Sequence, residues 1–323
     1  MLCQVAMRWN IVCLVPSGCI RVWLQKSDMQ WNPSKGPCNK NSCRPLLTSS
    51  VLSKAPAPSS GQRDKMNVIT ERHGTIMTIG INRPEVRNAV NAQTASELLQ
   101  AFQSFEKDTS LTAAVLHGIG GNFCAGYDLK EVAQNQTSLS IGQDVTKNPS
   151  PMGPARMQFS KPVIAAVSGY AVAGGLELSL LADLRVAEQS AIFGVFCRRF
   201  GVPLIDGGTV RLPQLIGLSR ALDLILTGRS VGAQEALEFG LANRVVPDGQ
   251  ALKCAIELAE EISAFPQACM RADRASAYHS TFDATSFYEA MQFETDNSMH
   301  ALVESVQGAR RFHSGEGRGG AKL

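Results

Sequence analysis

Short apolar segments alternate with segments of helical period along most of this chain, and that alternation limits the folds it can adopt. Residues 76–81 and 162–167 have the length and apolar content of buried strands. Residues 92–107 and 251–264 repeat apolar side chains every three or four positions, which indicates helices with one buried face. An apolar helix is also expected over 174–182. This order predicts an α/β body followed by an α-helical C-terminal region.

Residues 1–65 differ from the rest of the chain in charge and composition. They carry nine of the 31 Lys and Arg residues against two acidic residues, whereas residues 66–323 carry 22 basic and 26 acidic side chains. They also hold all three Trp and five of the nine Cys residues, without a sustained period. A basic, acid-poor leader is typical of a mitochondrial transit peptide. The alternative is a poorly defined N-terminal extension, with Met66 as the working start.

We therefore predict three regions. Residues 1–65 form a leader or disordered targeting segment, 66–260 an α/β core, and 261–323 a helical region with a flexible tail. The helical region includes a long terminal segment over 282–312. The last three residues, Ala-Lys-Leu, resemble a peroxisomal address, so the mitochondrial matrix and the peroxisome both stay open as locations.

Several classes of function are disfavoured by composition. The net charge is only +3 and the body is mildly acidic, which argues against a nucleic-acid partner. No apolar run reaches the roughly 18 residues of a membrane span. The four Cys residues of the body form no CxxC pair and the five His residues never recur at i, i+4, so no metal site is predicted.

Two Gly-rich junctions between a strand and a helix carry the clearest chemical pattern. In the first, over residues 122–130, Asp128 can cap a helix and leave backbone N–H groups around Tyr127 free to point at a ligand. In the second, over residues 168–177, small residues let a ligand approach the backbone closely, and free N–H groups gather at the helix start. Two such donors converging on one oxygen would form an oxyanion hole, suited to a thioester carbonyl that becomes an enolate. The alternative for each junction taken alone is a glycine that serves as a turn device.

With the segments around them, these junctions resemble the crotonase family, the enoyl-CoA hydratase/isomerase superfamily. The resemblance runs from residue 67 to 314, and its matching segments are 81–89, 123–130, 161–170, 174–178, 226–228 and 233–241. It implies a crotonase-like α/β fold of layered β-sheets flanked by helices, with a C-terminal α-helical region. It also implies a homo-oligomer, a trimer or a dimer of trimers.

The resemblance assigns roles to three residues of the two junctions. The N–H groups of Tyr127 and Gly174 would be the oxyanion donors, and Glu177 would be the first of the two catalytic glutamates of the hydratases. A carboxylate one turn into an apolar helix is a poor core residue. Burial beside a substrate would raise its pKa toward neutrality, as general acid/base catalysis demands.

Coenzyme A is expected near the first junction. By the resemblance, Lys130 matches a basic CoA-binding position, Arg87 is a plausible helper, and Ala125 lies in the same loop. The alternative for the two basic side chains is a solvated surface charge. No cofactor is implied, because CoA arrives as part of the acyl-CoA substrate.

The chain departs from the family at the second glutamate. Cys197 falls at that position, and a thiol, with an ordinary pKa of about 8.5, activates water less well than a carboxylate. Asp206 could restore a site with two carboxylates; its alternative is a turn residue before Gly207-Gly208. We predict that Asp206 is the auxiliary catalytic group and that Cys197 is an inert residue lining the pocket.

The expected function is chemistry on a CoA thioester through a stabilised enolate. The first choice is reversible hydration of a 2-enoyl-CoA to a 3-hydroxyacyl-CoA. The alternatives are a double-bond isomerase with a single glutamate, decarboxylation or thioester hydrolysis, and a weakly catalytic acyl-CoA-binding or RNA-associated member of the fold. The acyl length stays open because the loop over residues 134–154 would shape part of the pocket.

Overall fold

The computed structural model describes residues 66–134 and 144–315 of the chain. The predictions for the leader, for residues 135–143 of the long loop and for the C-terminal tripeptide therefore lie outside the described residues. They stay predictions, as does the boundary at residue 260.

Strands and helices alternate through the described residues. The strands are β1 (Val68–His73), β2 (Ile76–Ile81), β3 (Ala113–Gly118), β4 (Val163–Val167), β5 (Tyr170–Val172), β6 (Leu184–Glu188), β7 (Ile192–Gly194), β8 (Ser230–Gly232) and β9 (Arg244–Val246). The α-helices are α1 (Ala92–Lys107), α2 (Leu129–Gln134), α3 (Gly174–Leu181), α4 (Gly208–Ile216), α5 (Leu218–Thr227), α6 (Ala233–Phe239), α7 (Ala251–Ala264), α8 (Gln267–Phe282), α9 (Phe287–Ser298) and α10 (Leu302–Ser314). The predictions for β2, α1 and α7 are confirmed at both ends.

The strands form two sheets. The larger has the order β1-β2-β3-β4-β6-β9, in which β1 is antiparallel to β2 and the other neighbours are parallel. The smaller has the order β5-β7-β8. Helices connect the parallel strands, so the predicted α/β body of layered sheets is confirmed. No helix of the described ranges is long and apolar enough to cross a membrane.

The central strands β3 and β4 of the larger sheet are apolar on both faces and are covered on both. Ala114 and Leu116 of β3 pack in the main core, which also holds the fully buried Phe102 of α1. The alternate residues Ala113 and Val115 pack in a second core with α7. Successive side chains of a strand point to opposite faces, so the continuous apolar sequence of β3 serves both cores.

The two Gly-rich junctions meet because β3 and β4 are parallel neighbours and their carboxyl ends share one edge of the sheet. Direct hydrogen bonds join the loops beyond that edge. Phe123 N donates to Ser168 O at 2.7 Å, and Cys124 N donates to Tyr170 O at 2.8 Å. The chain between β4 and α3 is therefore fixed against the chain between β3 and α2.

The prediction of one continuous helical segment over residues 282–312 is wrong. Helix α8 ends at Phe282, and α9 begins only at Phe287. A new N-terminus is built at Ser286, whose side chain accepts a hydrogen bond from Glu289 N at 3.2 Å, while the Glu289 carboxylate accepts from Thr285 N at 2.8 Å. These reciprocal bonds satisfy N–H groups that a continuous helix would have paired with carbonyls.

Candidate active site

The N–H of Tyr127 is turned away from its neighbouring chain segment. Val90 N donates to Gly126 O at 2.8 Å, and Asp128 N donates to Val90 O at 2.8 Å. Gly126 O and Tyr127 N belong to the same trans peptide group and point in opposite directions. Because Gly126 O faces Val90 in this parallel bridge, the N–H of Tyr127 points away from Val90. Asp128 also accepts from Lys130 N at 3.2 Å, which confirms the predicted cap of α2.

The N–H of Gly174 opens helix α3. The first hydrogen bond of the helix runs from Glu177 N to Ala173 O at 3.2 Å, so the N–H of Gly174 precedes any partner within the helix. In the turns, loops and caps of the described ranges, neither the N–H of Tyr127 nor the N–H of Gly174 donates to a backbone carbonyl. Gly126 has φ +99°, and a Cβ on it would lie 3.1 Å from Gly174 N. The structure therefore brings the two predicted donors onto segments in direct contact.

Glu177 is buried one turn into α3, with 2% of its surface exposed. Its Oε1 accepts from Asp206 N at 2.9 Å and from Gly208 N at 2.8 Å. Burial raises the pKa of Glu177 to about 7, with a further contribution from the Asp206 carboxylate, against the opposing effect of the two backbone donors and of Arg211. Both backbone donors thus bind Oε1, and neither of them binds Oε2.

Asp206 lies in the loop that holds Glu177, and it is itself buried. Its Oδ1 accepts from Met152 N at 2.9 Å. Burial raises the pKa of Asp206, while hydrogen bonds from Met152 and Ser150 and the charges of Arg156 and Arg211 oppose that rise. The structure thus brings the two predicted carboxyl groups together, and it also gives Asp206 the role of a turn residue that anchors the segment around Met152.

Cys197 lies in the 3-10 turn Phe196–Phe200 and is 8% exposed. Burial raises the pKa of its thiol, and the negative charge of Glu177 raises it further. The thiol is therefore protonated at neutral pH, which suits a residue lining the pocket better than a base or nucleophile.

Sequence reasoning missed two residues of the site. Arg211 of α4 donates through Nη1 to Asp206 O at 3.3 Å and through Nη2 to Ala155 O at 2.9 Å. Its guanidinium thus joins the loop that contains Asp206 to the segment that contains Ala155. The available signal is that Arg211 is the lone charged residue of α4. Met152 is completely buried against Gly174, and nothing in its local sequence predicts that contact.

The predicted CoA-binding residues cluster around the first junction. Ala125 N donates to Arg87 O at 3.0 Å, so these two residues are direct neighbours. The Arg87 guanidinium is exposed and lies 5.4 Å from the centroid of the Tyr170 ring. Lys130 is exposed in the first turn of α2. Nowhere in residues 66–134 and 144–315 do three or more His, Cys, Asp or Glu side chains gather as potential metal ligands.

Comparison with known proteins gives a consistent set of relatives. The family model described as enoyl-CoA hydratase/isomerase matches residues 71–314. The enoyl-CoA hydratase EchA19 of Mycobacterium tuberculosis is 40% identical over 200 residues, which cover 61% of this chain and 75% of that protein. The mevalonyl-coenzyme A hydratase sidH of Aspergillus fumigatus is 37% identical over 188 residues, covering 58% of this chain and 69% of that protein.

Solved structures agree with these relatives. The crystal structure of an enoyl-CoA hydratase from Mycobacterium tuberculosis H37Rv superimposes with a TM-score of 0.70 at 35% identity, covering 77% of this chain and 96% of that chain. The similarity thus spans nearly the whole neighbour.

Proposed function

Because the chain belongs to the enoyl-CoA hydratase/isomerase family, we propose that it catalyses the reversible addition of water to a 2-enoyl-CoA, giving a 3-hydroxyacyl-CoA. Membership establishes the crotonase fold and an acyl-CoA enzyme of the hydratase type. The observation that carries the proposal is the position of Glu177. Its carboxyl group, with a pKa of about 7, lies one turn after the available N–H of Gly174.

The thioester oxygen would bind between the N–H groups of Tyr127 and Gly174. Glu177 Oε2 takes a proton from water, the resulting hydroxyl adds to C3 of the enoyl group, and the electron pair moves to the thioester oxygen. The two N–H groups stabilise the enolate charge as it forms. Glu177 then returns the proton to C2, so no net proton is gained or lost. A pKa of about 7 lets one carboxyl group act as base and then as acid at neutral pH.

Asp206 is proposed as the auxiliary group of this reaction. Its N–H fixes Glu177 Oε1, and its negative charge raises the pKa of Glu177. Its own Oδ1 is occupied by the N–H of Met152, so it acts by orienting Glu177 and the water rather than as a second free base. Cys197 is proposed to line the same pocket without exchanging a proton.

CoA is proposed to lie along the first junction. Arg87, Ala125 and Lys130 are placed there, with two exposed cations available to the phosphates of CoA. This reaction requires no further cofactor, since polarisation of the thioester comes from backbone N–H groups and proton transfer from a carboxyl group.

A homo-oligomer, a trimer or a dimer of trimers, is proposed from the surface of the helical region. Phe287 and Tyr288 of α9 are 72% and 83% exposed, and Val303 of α10 is 71% exposed. Large apolar side chains exposed together are typical of contacts between subunits. Sedimentation of the purified protein measures this directly.

The matching test is an assay of the purified chain with a panel of 2-enoyl-CoA thioesters. Loss of the conjugated thioester absorbance is followed, and the products are identified by mass. The panel includes a branched, hydroxylated acyl group, since one relative is named a mevalonyl-coenzyme A hydratase. A 3-hydroxyacyl product supports the proposal. An unhydrated positional isomer contradicts it and favours the isomerase, which needs a single base and for which Cys197 is no obstacle.

A further inference from the structure

The residue before the oxyanion donor of α3 has an unusual backbone conformation. Within residues 66–134 and 144–315, three residues other than glycine have positive φ: Arg87, Asn88 and Ala173. Arg87, with ψ 41°, lies in the left-handed helical region. Ala173, with φ 53° and ψ −127°, lies outside that region, where an L side chain is strained.

The surroundings hold Ala173 in this conformation from both sides. Its N–H donates to Gly194 O at 2.9 Å, and its carbonyl accepts from Glu177 N at 3.2 Å. The second bond fixes the peptide plane between Ala173 and Gly174. Because the carbonyl and the N–H of one trans peptide point in opposite directions, a carbonyl turned into α3 directs the Gly174 N–H out of the helix.

The methyl group of Ala173 contacts the other oxyanion loop. A Cβ built on Gly126 would lie 2.9 Å from the Cβ of Ala173. Gly126 directly precedes Tyr127, the second donor. The methyl group therefore lies between the segments that carry the two N–H groups, and its size sets how closely they approach.

From these contacts we infer that Ala173 is a positioning residue of the oxyanion hole: its backbone conformation aims the Gly174 N–H, and its methyl group fixes the separation between that N–H and the N–H of Tyr127. This inference rests on the proposed function for the identity of the site. The strain is retained because the neighbouring hydrogen bonds determine the conformation.

The test is Ala173→Gly, with two matched variants. Glycine adopts positive φ without strain but lacks the methyl spacer. We expect kcat on the best enoyl-CoA to fall about 10- to 100-fold, since small errors in placing a reacting group cost that much. The midpoint of urea unfolding should stay equal or rise. Ala173→Ser keeps the Cβ and should restore kcat to within about threefold. Ala182→Gly is the second control: Ala182, at the end of α3, has a negative φ of −76°, and its methyl group is buried. The urea unfolding midpoint of this variant should fall while its kcat stays unchanged.

A spectroscopic readout separates this inference from the proposed reaction. Acetoacetyl-CoA is used as the probe, because an oxyanion hole stabilises its enolate, which absorbs in the near ultraviolet. We expect the bound enolate fraction to fall in Ala173→Gly and to return in Ala173→Ser. If the wild-type protein stabilises the enolate but hydrates no enoyl-CoA, the proposed reaction is wrong and the enolate fraction still tests Ala173.

Three outcomes would overturn the inference. The first is a wild-type kcat and enolate fraction in Ala173→Gly. The second is a loss of kcat accompanied by an unfolding midpoint as low as that of Ala182→Gly, with the enolate fraction unchanged, which indicates a merely structural role. The third is a wild-type protein that neither hydrates enoyl-CoA nor stabilises the enolate, since then the oxyanion hole itself is absent.

Discussion

The two sides of the proposed active site are built from different parts of the polypeptide. On the oxyanion side, residues 122–128 and 171–175, the proposed working groups are backbone N–H donors, and the side chains around them are small. On the acid side, Glu177 and residues 195–208, the proposed working groups are side chains whose charge depends on what surrounds them. A backbone N–H donor is fixed once the loop folds, whereas a carboxyl group also needs surroundings that set its pKa.

This difference matches where the chain departs from the pattern that the resemblance implies. The oxyanion side keeps the pattern of the resemblance, because a larger residue at Gly126 would collide with Ala173 and Gly174. On the acid side, the resemblance predicts a glutamate where this chain has Cys197, whose small thiol is buried in the turn Phe196–Phe200. The structure therefore resists added bulk at Gly126, whereas position 197 on the acid side holds a small side chain.

The largest expected effect is on the acid side. Glu177→Gln keeps the shape and an acceptor for Asp206 N and Gly208 N, but it cannot transfer a proton. We expect kcat to fall on the order of 10³- to 10⁴-fold, with KM for the enoyl-CoA little changed. Steady-state kinetics measure both. Activity within tenfold of wild type would remove Glu177 from the mechanism.

The next effect is on the oxyanion side. Gly174→Pro removes one N–H at the first helical position, where proline is otherwise tolerated. We expect a loss on the order of 100- to 1000-fold in kcat. An added Cβ would lie 2.7 Å from Met152 Sδ, so the variant is also made with Met152→Ala, which gives it room. Full activity in a folded double variant would show that Gly174 is not a donor; Met152→Ala alone is the matched control.

The auxiliary carboxylate should contribute less. Asp206→Asn keeps an oxygen for the N–H of Met152 and removes only the charge. We expect kcat to fall roughly 100-fold if Asp206 orients the water. Loss of its charge should also lower the pKa of Glu177, which the pH profile of kcat/KM measures. Unchanged rate and profile would leave Asp206 as a turn residue alone.

The oxyanion side can be predicted from the sequence more fully than the acid side. Glycines and a helix start indicate free backbone N–H groups locally, and the resemblance then assigns Tyr127 and Gly174 as the donors. Asp206 can be nominated from its loop, but its bond to Met152 joins residues 54 positions apart. Arg211 likewise reaches Ala155, 56 positions away. Contacts of that kind depend on how separate segments pack, and no local pattern encodes them.

A pH dependence of stability follows from the raised pKa of Glu177. Its pKa is about 7 in the folded protein against 4.5 in the unfolded chain, so the native state holds the extra proton between those values. The contribution of Glu177 to the free energy of unfolding is fully present below about pH 4.5 and is lost as the pH rises through about 7. Glu177→Gln should therefore be more stable than wild type at pH 8, by at most about 3 kcal/mol. At pH 4.5 the difference should disappear. Urea unfolding at both pH values checks this, and an equal difference at both would contradict it.

The smallest expected effect concerns Cys197, and it tests most directly whether the acid side tolerates change. Cys197→Ala removes a thiol that stays protonated at neutral pH, so kcat should change by less than about threefold.

Cys197→Glu places a carboxyl group where the resemblance puts the second glutamate. Hydration should become faster if the turn Phe196–Phe200 still forms, because a second base then activates water while Glu177 supplies the proton. Circular dichroism and unfolding midpoints establish folding before the rates are compared. If Cys197→Ala abolishes turnover while Asp206→Asn leaves it intact, the thiol performs chemistry. The two residues would then exchange roles, because a small uncharged liner cannot be essential to proton transfer.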